Sequence, residues 1–334
     1  MMNDFLNISL YLFLLISSLK MSARISKDSL AIEEPRGNKA YFCDACGCAS
    51  TGGSMGFSSL SGGSFIGLRY LGQEYRSRDG IYENSAWIEE HFNTLQLWGN
   101  YPVSNRISVS AILPYHFHHR QFANATSQQI SGIGDFSILG FYKVFREYQQ
   151  EYLDAEQTDF RQDLRFGGGI KLPLGSYQRT NNQGSVNPGF QLGTGSLDFI
   201  LAGSYQLNYR DWGGKLQANY ILKQENQQDY RFGNQLNTSL LFYRNFSWID
   251  MKKVLPVNLV LYSGVAQEIF GENRSFGQPV QHTRGSAVFG KLGAEFSYGK
   301  WNIGASYVKP LAQNLNNGQV VAKNRLSLSL NYLL

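Results

Sequence analysis

From about Gly63 to Leu334, apolar and polar residues alternate in one segment after another, with Gly, Asn and Asp between the segments. The clearest stretch runs from Arg106 to Phe117. There Ile107, Val109, Ala111, Leu113, Tyr115 and Phe117 share one face, and Ser108, Ser110, Pro114 and His116 share the other. Strand side chains point to opposite faces with period two, so each segment reads as a strand with one apolar and one polar face. About twelve such segments follow one another, with almost no helical periodicity between them. The first begins at Ser64, the third at Arg106, the fourth at Gly134, the fifth at Asp163, the sixth at Ser196 and the last at Asn324.

Short connections at Pro102–Asn105, Asp211 and Tyr298–Lys300 alternate with longer polar ones. An even number of strands, short turns at one end and long loops at the other predict an all-β fold. The expected architecture is a closed transmembrane antiparallel β-barrel of the outer-membrane type, with its apolar face toward lipid and its polar face toward the lumen. The last segment alternates Leu326, Leu328, Leu330, Tyr332 and Leu334 with Ser327, Ser329 and Asn331. Many such barrels end on an aromatic residue read by the barrel assembly machinery. Here Tyr332 stands two places before the final Leu334.

Composition agrees with this pattern. Of the 334 residues 14% are aromatic, with 20 Tyr, 22 Phe and 35 Gly against only 8 Pro, which suits many strands and interfacial aromatic girdles. A mean hydropathy of −0.29 would mark a soluble chain, but half of each barrel strand is polar, so the average is uninformative. The net charge of +5 is scattered, with no basic cluster of the kind that binds nucleic acid. Ile8–Ser18 is too short for a membrane helix and fits the apolar region of a signal peptide, although Asp4 precedes it and no Lys or Arg does. The expected division is a signal peptide over 1–23, a linker with a Cys-rich segment over 24–62 and a barrel over 63–334. The expected location is the outer membrane of a Gram-negative bacterium.

Three phrases carry a family resemblance. Gly132–Asp135 reads G-x-G-D, Lys171–Gly175 reads K-x-P-x-G after a Gly-rich strand, and Gly193–Asp198 reads G-T-G-S-x-D. Over residues 90–334 the chain resembles the outer-membrane proteins named for the meta-pathway of phenol degradation. That resemblance implies a barrel channel for small, often hydrophobic molecules. It leaves the substrate unnamed. The glycines Gly132, Gly134 and Gly175 fall at strand ends, where turns call for positive φ.

Candidate chemistry is sparse. All three cysteines lie in C-D-A-C-G-C as Cys43, Cys46 and Cys48. Three thiolates so spaced can converge on a soft ion such as copper or zinc. The same residues also suit a disulfide with one spare thiol, or lipid attachment. His116 and His118 share the polar face of a strand and are a second candidate metal pair; as a strand-end run they also suit a solvated rim. Asp135, Arg165, Lys171, Asp198, Lys215 and Glu295 lie on polar faces and are the candidate lumen-lining charges. No G-x-S-x-G, H-E-x-x-H or P-loop occurs, so no catalytic residue is named and no cofactor is required. The expected function is an outer-membrane channel for small molecules or ions, its partners being outer-membrane lipids and the assembly machinery. The alternative is a structural, closed and non-conducting barrel.

Overall fold

The computed structural model describes residues 63–78, 86–145, 160–178, 180–181, 184–185, 187–251 and 255–334. The segments assigned to a signal peptide and a Cys-rich linker, Cys43, Cys46 and Cys48 included, lie outside the described residues.

Twelve antiparallel staves run in chain order and close on themselves. They are β1 (Phe65–Arg78), β2 (Trp87–Pro102), β3 (Ile107–Gln121), β4 in two segments (Ser127–Ile133 and Phe136–Lys143), β5 (Phe160–Leu172) and β6 (Asp198–Tyr209). The second half comprises β7 (Trp212–Leu222), β8 (Gln235–Asp250), β9 (Leu255–Phe270), β10 (Gly285–Tyr298), β11 (Trp301–Leu315) and β12 (Val320–Leu333). Closure is made by β1 and β12, paired from Phe65↔Leu333 to Ser77↔Val320. A closed sheet leaves no row of unpaired backbone groups, which is what a strand structure in lipid requires.

The alternation sets the two surfaces as the sequence predicts. Leu68, Leu97, Leu201, Leu292 and Leu328 are exposed on the outer wall. Tyr101, Phe160, Tyr209, Trp212 and Trp301 stand exposed at the short-turn rim, as an aromatic belt does at a membrane interface. The short turns are tight. The Val103 and Ser104 amides both donate to the Ile107 carbonyl, and Gly299 takes φ +56°.

Two features depart from the sequence reading. The fourth stave begins at Ser127, not Gly134. Its upper segment pairs with Tyr115–Gln121 of β3 and its lower segment with Ile107–Ile112. Gly134 and Asp135, both buried, break the alternation between them. Only the lower segment pairs with β5, ending at Phe136↔Leu172, and no described strand covers the other edge of the upper one. The second departure concerns the glycines. Of Gly132, Gly134 and Gly175, only Gly132 has positive φ, at +157°. The other two are glycine because of close approach. A Cβ on Gly175 would stand 2.6 Å from the Leu192 carbonyl oxygen, and one on Gly134 would stand 2.2 Å from His116 Nε2.

Candidate functional site

The interior wall is built by the inward residues of every stave, and it is polar over much of its area. Asn237 Nδ2 donates to Asn219 Oδ1 at 2.7 Å, and Asn331 Nδ2 to Asn302 Oδ1 at 2.9 Å. Arg69 Nε donates to Gln96 Oε1 at 2.8 Å while its guanidinium lies 4.2 Å over the Trp98 ring. The Arg165 guanidinium forks onto Asp163 at 2.7 and 2.8 Å, and Lys143 Nζ approaches the same carboxylate at 3.4 Å. Lys215 is buried within electrostatic range of Glu295, Arg165 and Asp163. Arg165, Lys215 and Glu295 therefore face the interior in one neighbourhood of mixed sign.

Asp135, Lys171 and Asp198 meet elsewhere, at the long-loop end. Lys171 Nζ lies 3.0 Å from Asp135 Oδ2 and 2.8 Å from Asp198 Oδ2, and Lys223 Nζ stands 3.7 Å from Asp198 Oδ2. Two carboxylates and two ammonium groups compensate one another, all buried. The remaining lone pairs are taken by the loop joining β5 to β6. Gly175 N–H donates to Asp135 Oδ1 at 3.0 Å, and Thr194 N–H to Asp135 Oδ2 at 2.8 Å. Ser196 Oγ donates to Asp198 Oδ1 at 2.8 Å. Thr194 Oγ1 accepts from Lys171 at 2.8 Å, and Asn226 Nδ2 donates to the Thr194 carbonyl at 3.0 Å. Low dielectric makes each of these bonds strong and makes any unpaired member costly.

This cage gives the three sequence phrases one physical cause. G-x-G-D supplies Asp135 at the break in β4. K-x-P-x-G supplies Lys171 and the Gly175 amide, and G-T-G-S-x-D supplies Thr194, Ser196 and Asp198. Gly193 is glycine because a Cβ there would stand 2.3 Å from Asp135 Oδ1.

Held at both ends by the cage, the loop turns inward. Phe190, 1% exposed, packs against Phe92 at 5.8 Å between ring centroids and lies beneath the Arg120 guanidinium at 4.8 Å. It joins Tyr75, Phe270 and Phe289 in one buried cluster inside the barrel mouth. Within that cluster Arg325 forks onto Glu268 at 2.7 and 2.9 Å and donates to Tyr75 OH at 2.6 Å. Sequence reading singled out none of Phe190, Arg325, Glu268 or Lys223. Arg325 and Glu268 were visible as polar-face charges, but Phe190 lies in a loop with no periodicity. A second buried apolar cluster crosses the interior wall through Phe65, Trp98, Ile112, Leu139, Ile200 and Ile221. Trp98 pairs with Ile112 and Ile200 with Ile221, Leu139 and Ile200 flank Gly169, and between β3 and β4 the cluster shifts by two residues, Ile112 pairing with Ser137 and Leu139 with Ser110.

His116 and His118 both face inward on β3, their ring centroids 4.7 Å apart. Among the described residues no three His, Cys, Asp or Glu side chains are grouped to hold a metal ion.

An apolar outer wall, an aromatic belt and a polar interior with a folded-in loop define a β-barrel of the outer-membrane class. The chain belongs to the family described as "Putative MetA-pathway of phenol degradation", whose model matches residues 90–320 and so takes in all three phrases that build the cage. In three dimensions it is similar to an outer membrane channel of Pseudomonas putida F1, at TM-score 0.60 and 17% identity over 84% of this chain and 98% of that one. The β domain of the Bordetella autotransporter BrkA aligns at TM-score 0.44 and 13% identity, over 82% of this chain and 100% of that domain. None of the curated proteins matches the chain in sequence.

Proposed function

We propose that this protein is a non-catalytic conduit in a Gram-negative outer membrane, passing small molecules with an apolar part through a normally narrow interior. The observation that carries this reading is the interior itself, where a buried apolar cluster of Phe65, Trp98, Ile112, Leu139, Ile200 and Ile221 lies among inward polar side chains. A molecule with an apolar portion gains from such a cluster along its path. Likeness to the Pseudomonas putida channel and membership of the phenol-pathway family support the same reading. The end with the tight turns at 103–106, 210–211 and 299–300 faces the periplasm and the opposite end the exterior, as in barrels of this class.

The filled mouth favours a second reading, a closed barrel without conduction. Reconstitution into planar bilayers separates the two. The conduit gives discrete conductance steps that grow when Phe190 is replaced by Ala. Silence from both the parent and that variant would establish the closed barrel. Uptake into proteoliposomes of a small aromatic solute, compared with a sugar of equal size, then reads whether the apolar cluster selects.

A further inference from the structure

Lys291 faces the interior from β10, although the sequence reading did not single it out. It stands opposite Gly264 of β9, and the same row runs on through Leu241 of β8, Lys215 of β7, Gln206 of β6 and Asp163 of β5. Residues directly opposite one another share a face, so both lysines point inward. Asp163 is already engaged by Arg165 and Lys143. The charges that act on Lys291 are Arg69, Glu295 and Lys215. These four buried groups are three cations and one carboxylate. Glu295 follows Lys291 by four residues on the same face, but the Tyr262 ring fills the place over Gly293 between them, where a Cβ would collide with Tyr262 Cζ. Lys291 Nζ lies 5.8 Å from the centroid of that ring. The residue is 7% exposed and, among the described residues, makes no hydrogen bond and no ion pair. An ammonium buried in this condition is costly and calls for a counter-charge.

We propose that Arg69, Lys215 and Lys291 form a station for an organic anion, a monocarboxylate with an aromatic or otherwise apolar body. This names the cargo of the proposed conduit and rests on that reading. The excess of cations over Glu295 selects an anion against a neutral or cationic molecule. Arg69 sets the apolar half. Its guanidinium lies 4.2 Å over the Trp98 ring, and Trp98 belongs to the buried cluster with Ile112, Leu139, Ile200 and Ile221. A carboxylate held at Arg69 therefore has aromatic and aliphatic surface beside it, and the Tyr262 ring next to Lys291 adds more. Mostly apolar surface with a few placed polar groups is the make-up of a small-molecule site. Glu295 repels the same carboxylate and keeps the hold weak, which suits a path, where binding must permit release.

The test uses the full-length protein in a non-ionic detergent, with heat-modifiable migration on a gel confirming that each variant is a folded barrel. Equilibrium dialysis reads three probes: benzoate, its neutral counterpart benzamide, and acetate, which carries the charge without the ring. Benzoate should bind at least about tenfold more tightly than either, the scale of one hydrogen bond to a charged group. Lys291→Met should weaken benzoate by about tenfold or more and leave benzamide where it was. Lys291→Arg keeps the charge and should retain benzoate, while Glu295→Gln removes the competing carboxylate and should tighten it. Lys309→Met, exposed on the outer wall opposite Gly290, should bind as the parent does. The proposal is overturned if benzamide or acetate binds as tightly as benzoate, if Lys291→Met retains benzoate, or if Glu295→Gln weakens it. Planar-bilayer conductance separates this outcome from the fate of the conduit. A conducting barrel indifferent to benzoate loses the station and keeps the conduit. A silent barrel that binds benzoate through Lys291 keeps the anion site and loses the conduit.

Discussion

At the scale of single residues, the cage makes Lys171 the most sensitive side chain in the mouth. It is the cation between Asp135 and Asp198, so Lys171→Met leaves two buried carboxylates facing each other with Lys223 alone to answer them. Breaking a buried pair by removing one partner costs about 3–5 kcal/mol, and chemical unfolding of the refolded barrel should show a loss of that order. Adding Asp135→Asn returns the cluster to neutrality as a Lys223–Asp198 pair and should recover part of the loss. A double variant as unstable as the single one would show that charge balance is not what the cage supplies. Gly193→Ala should act on the same cluster by sterics, because its Cβ would displace the Asp135 carboxylate that accepts the Thr194 amide. Overpacking of this kind costs about 1–3 kcal/mol. Asp135, Lys171 and Asp198 were legible in the sequence as polar-face charges, and their mutual contact was not. Alternation tells which face a side chain takes, but not that three segments separated by a loop close onto one carboxylate.

Among the elements, the staves and the loops were unequally legible. Alternation located the staves because one face of each is apolar, and it failed at Ser127–Ile133. That segment carries only Ile130 and Ile133 among Ser, Gln and Gly, so no apolar face announces it. It is held by β3 and by the loop between β5 and β6, whose Leu192 side chain reaches Gly132. The same loop could not be read as a lid from sequence, because its inward course is fixed by the distant cage and not by local periodicity. Phe190, buried in the barrel mouth, makes the element-scale prediction. Phe190→Ala removes the ring between Phe92 and Arg120 while the cage at both loop ends stays intact. Single-channel conductance should rise with little change in the unfolding transition. A large loss of stability without added conductance would mean that Phe190 is a structural plug rather than the movable part of the mouth.

At the scale of the whole molecule, one alternation builds two walls of different character. The inner wall is not the uniformly polar surface that alternation alone suggests, since Phe92, Trp98, Ile112 and Phe289 also point inward. Some staves are thus apolar on both faces at some positions, and only the closed barrel tells which face meets lipid. The outer wall can be tested without reference to any substrate. Leu328 lies midway along β12 and is exposed between Tyr70 of β1 and Ala305 of β11. If that wall faces hydrocarbon, Leu328→Lys places a charge near the midplane and should destabilise the barrel in lipid by about 2–4 kcal/mol. Leu174, equally outward but beyond the end of β5, lies at the rim, and Leu174→Lys should cost no more than about 1 kcal/mol there. The contrast between the two sites is the signature of a bilayer, because a water-facing wall would tolerate lysine at both. Equal and small effects in lipid vesicles would remove the membrane-spanning orientation and, with it, the ground for reading the interior as a path.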